Sequence, residues 1–157
     1  MRRTDKEIVS RKEIDEIIRG SQVCRIALAM DNIPYIVPVS FGYDHNSIYI
    51  HTAIEGKKLN YIRNNNNVCF EFERNVALIK DPNNACKWTF SYESVIGLGT
   101  IYELDSKEQI RNGLNAIMRQ YSGREWIFAE DKLTNIKVWR IEINSITGKR
   151  ATKKLAT

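Results

Sequence analysis

Groups suited to anion binding and to proton chemistry crowd one stretch of this chain, "YIHTAIEGKKLNYIRNNNNVCFEF", which begins at Tyr49. It reads as an apolar strand ending on His51, a break at Glu55 and Gly56, the pair Lys57–Lys58 opening a helix, and a further strand. At a helix start the first N–H groups lack intrahelical acceptors and the dipole is positive. Two ammonium groups placed there converge with free amides on one point, where a phosphate would be held. His51 shares its strand face with Tyr49 and Ala53 and stands at the other end of the same connection. Its imidazole titrates near neutral pH. Each residue also has a plainer reading: paired lysines on a surface helix are usually solvated, and a histidine ending a strand is often structural.

Other groups carry weaker signals. Pro38 cannot donate to a sheet ladder, so its strand must lie at an edge or be bulged there, which leaves backbone groups open to a ligand. Trp88, Phe90 and Tyr92 recur at strand spacing and could stack on a planar cofactor, form core, or face a second subunit. His45, in "DHN", fits turn chemistry, and two histidines so placed do not make a metal site. Cys24, Cys69 and Cys86 form no Cys-x-x-Cys pair, which argues against a disulfide framework or a zinc cage. Gly-rich phosphate loops, nucleophile elbows, metal-helix motifs and EF-hand loops are absent from the sequence.

These groups must be positioned by a mostly β chain. Ser10 followed by Glu13 predicts a capping box, Ile14, Ile17 and Ile18 form a helical stripe, and Gly20 is placed to close that helix in the left-handed conformation. "VCRIALAM", "YIVPVSFGY" and "SIYIHT" follow as strands joined by the turns "DNIP" and "DHN", which predicts an antiparallel meander. "VCFEFE" puts Val68, Phe70 and Phe72 inward. "KWTFSYESVIGLGTIYEL" reads as one long coiled strand with Trp88, Phe90, Tyr92, Ser94, Ile96 and Leu98 on one side, bending or bulging at Gly97 and Gly99. Ser106 and Gln109 cap a helix carrying Ile110, Leu114, Ile117, Met118 and Tyr121, and "IKVWRIEINSI" is the last strand. About six strands with sequential antiparallel connections are best satisfied by closing the sheet into a small barrel, with an open α+β sheet as the competing architecture.

The chain's 157 residues allow one core, and 43% hydrophobic with 27% charged residues is ordinary globular composition. We therefore expect a single domain over 1–150 and a basic, solvated tail over 151–157, the tail's charge beginning in "GKRATKK". No apolar run is long enough to span a bilayer and the charged N-terminus does not resemble a signal peptide, so a cytoplasmic location without membrane association is the expectation. The net charge of +5 favours anionic partners.

Taken in order, "MRRTDKEI", "VPVSFGYD", "IYIHTAIEGKKLNYIRNNNNVCFEF", "WTFSYESVIGLGT" and the closing "ITGK" resemble the split-barrel flavin-binding proteins related to pyridoxamine 5′-phosphate oxidase, within them the nitroimidazole-resistance (Nim) branch. The resemblance implies a mainly β fold with flanking helices: a six-stranded antiparallel split β-barrel, paired as a homodimer with FMN in two grooves at the interface. FAD, haem or a deazaflavin is the lesser expectation for the same groove. It implies that Val39 and Ser40 lie along the flavin ring with Pro38 at a bulge, that His51, Thr52 and Ala53 lie beside the ring and ribityl chain, and that Lys57, Lys58 and Leu59 lie near the phosphate. Trp88, Tyr92 and Ser94 would reach the cofactor from the partner subunit.

The chain departs from oxidases of vitamin B6, which end in an Arg-Leu-x-Pro motif; here the end is "VWRIEINSITGKRATKKLAT", so oxidation of that vitamin is not expected. The Nim branch implies a nitroreductase-like activity that draws on NAD(P)H or another reductant and turns a nitroimidazole into an amine. His51 is the candidate catalytic residue, donating a proton or orienting the acceptor. Two other function classes stay open: a non-catalytic flavin- or haem-binding protein, and, less favoured, a barrel binding single-stranded RNA through charge and aromatics.

Overall fold

The computed structural model describes residues 4–151. Their strands form one antiparallel sheet of eight members: β1 (Glu7–Ile8), β2 (Cys24–Met30), β3 (Ile33–Val39), β4 (Gly42–Tyr43), β5 (Ser47–Ala53), β6 (Asn67–Ile79), β7 (Thr89–Glu103) and β8 (Ile136–Ala151). The path runs β3-β2-β6-β7-β8-β5-β4, with β1 added to β8. Six of these are the expected strands; β1 and β4, two residues each, raise the count from six to eight. The helices are α1 (Arg11–Gly20), α2 (Lys57–Asn64), α3 (Lys107–Ser122) and the single turn α4 (Glu130–Leu133).

The sheet is mainly β, curled and split rather than closed. β3 and β4 are its two ends, yet only Ser40 and Phe41 separate them in the chain. Three peptide steps span at most about 11 Å, so the sheet must wrap until its ends face each other without sharing hydrogen bonds. Phe41, fully buried, fills that slit against Phe72 and Tyr121, and its N–H donates to the Tyr121 hydroxyl at 3.1 Å. This corrects the simple meander: β2–β3 and β4–β5 are hairpins, but β3 and β4 are not neighbours. The β2–β3 turn holds Asp31 and Asn32 at φ 52° and 62°, the left-handed pair that a two-residue hairpin requires.

Side chains alternate as the pleat dictates. Cys24, Ile26 and Leu28 on β2, Val68, Phe70 and Phe72 on β6, and Ile48 and Ile50 on β5 fill the interior. α1 closes one end of it with Ile14, Ile17 and Ile18. Ser10 accepts from the Glu13 N–H as expected, but Gly20 is the last helical residue and is not left-handed. The extended Ser21 follows it, and Gly20 instead leaves room for the Arg74 side chain. On β7 the glycines work as expected: a Cβ on Gly97 would overlap the Phe70 ring and the Ser145 carbonyl, and the register to β8 slips between Leu98 and Gly99. α3, with its Ser106–Gln109 capping box and left-handed Gly123, packs on the outer face of β5 and β8 through Leu114 over Val138.

Pro38 lies on the edge strand, and no bulge accompanies it, because β2 and β3 stay in register from Cys24–Val39 to Met30–Ile33. The edge reading of Pro38 therefore holds and the bulge does not. Of the expected basic tail, Ala151 ends β8, and 152–157 lie outside the described residues. Lys149 and Arg150 belong to the sheet; Arg150 pairs with the buried Glu93, which also receives Arg74 at 2.7 Å and Asn75 at 2.9 Å. Among the described residues no helix is long and apolar enough to cross a membrane.

Candidate functional site

His51 projects from the outer face of β5, opposite Val138 of β8, with Tyr49 and Ala53 on the same face. β4 pairs with β5 only as far as Gly42 opposite Tyr49, two residues before His51, and the exposed Ser40 lies two residues before Gly42 in the segment that crosses the split. Glu55 and Gly56 turn the chain; Gly56, at φ 134°, adopts a conformation open to glycine, and α2 starts at once. Leu59 and Asn60 N–H groups turn back to the Gly56 carbonyl, and no side chain caps the helix, so the N–H groups of Lys57 and Lys58 have no helical acceptor.

The electrostatics of this corner are one-sided. Lys57 and Lys58 form no ion pair among the described residues. Burial holds the half-buried Lys58 ammonium below the usual lysine range. Partial burial, and after it the Lys58 cation, holds His51 below the usual histidine value although part of the ring meets solvent. Lys57 is spent differently: its ammonium lies 4.9 Å from the Tyr35 ring centre and 5.7 Å from that of Tyr61, a cation–π arrangement. An uncapped helix start, a partly desolvated lysine without a carboxylate and a neighbouring imidazole make a donor set that fits a phosphate.

The other expected residues divide by where their side chains go. Val39 and Leu59 are buried in the main core. Thr52 is buried too; its hydroxyl donates to the Ala53 carbonyl at 2.8 Å and accepts from the Trp139 indole at 3.0 Å. These three can offer a ligand only backbone, whereas Ser40, His51, Ala53 and Lys57 are exposed and Lys58 half-buried. Trp88, just before β7, is half exposed and its indole donates to the Asp81 carbonyl at 2.7 Å. Tyr92 and Ser94 sit half-buried on the outer face of β7.

Those three do not meet the His51 corner within one chain. Ser94 is opposite Lys149 of β8 while His51 is opposite Val138, eleven residues earlier on the same strand. That is on the order of 35 Å of strand.

Two polar clusters escaped the sequence. The carboxylate of Asp15, a buried residue of α1, accepts from Arg11 at 2.9 Å, Tyr43 at 2.7 Å and His45 Nδ1 at 2.5 Å, tying α1 to the β4–β5 turn. Burial alone would raise its pKa; the three donors outweigh that and the net direction is down. His45 is at φ 79°, so it does serve the turn. The second cluster gathers on Glu93, whose place on the inward parity of β7 with Val95 was a signal available from alternation alone.

Comparison with known proteins identifies the family and the fold. The family model for pyridoxamine 5′-phosphate oxidase matches residues 10–150. A curated relative, an uncharacterized protein of Rhizobium meliloti (strain 1021), is 28% identical over 64 residues; the match covers 41% of this chain and 42% of the relative's length. Among solved structures, a candidate 5-nitroimidazole antibiotic resistance protein from Bacteroides thetaiotaomicron is similar at 29% identity and a TM-score of 0.81, over 91% of this chain and 85% of that one. A FAD- and heme-binding protein from Mycobacterium smegmatis shares the fold at 16% identity and a TM-score of 0.83, over 94% of this chain and 74% of that one. With the family match running from the α1 cap to the end of β8, the chain belongs to the pyridoxamine 5′-phosphate oxidase family.

Proposed function

We propose that this protein is a homodimeric, FMN-binding oxidoreductase of the nitroreductase type, its phosphate site formed by Lys58 and the start of α2. The observation that carries the reading is the half-buried Lys58 at the uncapped start of α2, with no carboxylate partner among the described residues and an imidazole beside it. The flavin would supply the electron chemistry, and the chain's own residues bind and orient. Lys58 and the α2 amides would hold the phosphate, and Ser40 and the His51 ring would border the reacting partner. With its pKa depressed, His51 is mainly neutral at pH 7 and suited to orienting an acceptor; a negative charge placed beside it would raise its proton affinity, so that more of it would carry a proton to donate.

Support for the homodimer comes from the outer face of the sheet. Ile36, Ala27, Cys69 and Leu98 form one continuous row across β3, β2, β6 and β7, and Ile96 stands in the next row beside Glu71 and Arg25. Ile36, Ile96 and Leu98 are each at least half exposed. The β6–β7 hairpin beyond Asn75 likewise shows Val76, Leu78, Trp88 and Phe90 to solvent. Apolar rows of this extent on a protein surface mark interfaces, and a second copy would also bring Tyr92 and Ser94 to a groove that their own chain keeps far from His51.

Purified protein should bind FMN with a flavin absorption band and, with NAD(P)H or a chemical reductant, consume a nitroimidazole with six electrons and six protons per amine and two waters formed. Protein that cannot be loaded with FMN refutes the reading; loaded protein that never passes electrons to the nitro compound leaves the non-catalytic binding protein as the answer. The 29% identical candidate resistance protein is the reason for choosing a nitroimidazole as the first acceptor.

A further inference from the structure

The motif "ITGK" uses its first three residues in packing and hydrogen bonding, and leaves its lysine with an aromatic ring and no counter-charge among the described residues. Ile146 packs against the core, and the Thr147 hydroxyl donates to the Ile96 carbonyl at 3.3 Å. Gly148 pairs with Ile8 of β1, and a Cβ there would sit a tight 3.0 Å from the Ile14 and Ile8 side chains. Lys149 points to the opposite face. It is half-buried, opposite Ser94 on one side and Glu7 on the other, and its ammonium lies 5.5 Å from the centre of the Tyr92 ring. Among the described residues no carboxylate lies within ion-pair distance of it; its neighbour Arg150 takes Glu93 and Glu13 on the inner face.

We propose that Lys149 is a cofactor-contacting residue whose ammonium, held over Tyr92 beside Ser94, meets the negative charge a flavin ring acquires on reduction. The inference rests on the reading of Tyr92 and Ser94 as the half of the flavin groove contributed by a partner subunit. Two electrons and one proton from an added reductant turn the neutral oxidised ring into a monoanion. Lys149 exchanges no proton; it stays a cation and favours the reduced form electrostatically. It adds little to binding of the oxidised ring, which has no charge for it to meet.

The test is the midpoint potential of bound FMN, titrated with dithionite against an indicator dye, in wild type, Lys149→Gln and Lys149→Arg. Loss of the charge should weaken binding of reduced FMN about tenfold relative to oxidised FMN, which for a two-electron couple is a potential about 30 mV more negative. Oxidised FMN should bind Lys149→Gln within about twofold of wild type, and Lys149→Arg should keep the wild-type potential. A Lys149→Gln protein that holds FMN at the wild-type potential overturns the assignment and leaves the groove standing. Equal loss of oxidised and reduced FMN also overturns it, because the lysine would then serve binding in general. Wild-type protein that retains no FMN at all removes the groove and this inference together.

Discussion

Replacing Lys58 with alanine should cost the protein its preference for a phosphorylated flavin. The residue is half-buried, without a carboxylate partner among the described residues, and burial already depresses its pKa, so there its charge is poorly compensated. At about 4 Å and an effective dielectric near 20, one opposite unit charge is worth at most about 4 kcal/mol. Partial exposure and salt reduce that, and a hydrogen bond to a charged group contributes about 1.5–3 kcal/mol. We expect a loss of about 1.5–2.5 kcal/mol, roughly a 10- to 70-fold rise in the FMN dissociation constant. Riboflavin, which lacks the phosphate, should bind wild type and Lys58→Ala equally. Fluorescence titration of both flavins against both proteins measures the difference directly. Lys57→Ala is the internal control: its ammonium is engaged by the Tyr35 and Tyr61 rings, and its loss should weaken FMN by no more than about threefold. The reasoning is refuted if Lys58→Ala keeps the wild-type ratio of FMN to riboflavin affinity, or if Lys57→Ala proves the more damaging of the two.

If the proposed dimer forms through this face, Leu98→Asp should weaken it by at least about a thousandfold, since it would remove apolar burial from both copies and desolvate two carboxylates; unchanged elution in size-exclusion chromatography at micromolar protein would contradict the interface. Gly97→Ala should lower Tm by about 6–10 °C, because the new methyl meets the Phe70 ring and a backbone carbonyl that cannot step aside, a cost of about 2–3 kcal/mol; an unchanged melting curve would show that β7 has slack there. Asp15→Asn should destabilise the fold by about 2–3 kcal/mol at pH 7. The wild-type carboxylate is stabilised in the folded state, so its contribution is full above the ordinary aspartate pKa of 3.8 and fades as pH falls through the lower folded value; the gap between the two proteins in urea midpoint should therefore close below about pH 4. His51 acts in the same direction, in a higher pH window. Its folded pKa lies below 6.5, so the unfolded chain takes up the proton first and wild type should lose stability on acidification below pH 6.5, a loss that His51→Gln reduces; equal slopes in the two proteins would remove the depressed pKa.

The strands, the α1 and α3 caps and the lysine-bearing turn were legible because each rests on local chemistry: period-two alternation, Ser at N-cap, glycine at a break. Three features were not. Gly20 was read as a left-handed cap, but the end of α1 is set by the Ser21 hydroxyl reaching the Ile17 and Glu73 carbonyls, a contact spanning 52 residues. The β3–β4 step looked like a meander because short turns usually join neighbours; only the pairing of β6 with β2 and of β5 with β8 shows that Ser40 and Phe41 cross the split. Among the candidate site residues, the side chains of Thr52 and Leu59 turn into the core, which a reading by position along the chain did not consider. Alternation alone places Thr52 with Ile48 and Ile50, inside, so that its hydroxyl is taken by Trp139.

The aromatic and aliphatic stripe of β7 is the most instructive ambiguity, because periodicity reveals that Tyr92, Ser94, Ile96 and Leu98 share a face and cannot say which face is inner. The deciding residues are on the other parity. Gly97 and Gly99 have no space for a side chain, Val95 and Ile101 are buried, and Glu93 is ringed by Arg74, Asn75 and Arg150, so this side must be the interior. The larger side chains of the strand are thereby turned outward, where one chain leaves them half exposed. A strand that puts glycine inward and leucine outward is poorly explained as part of a monomer, since the hydrophobic effect favours the reverse. It is well explained if the outer face is a second interior, completed by another copy, and that condition would also bring an aromatic ring and Lys149 across to the cationic corner at His51 and Lys58.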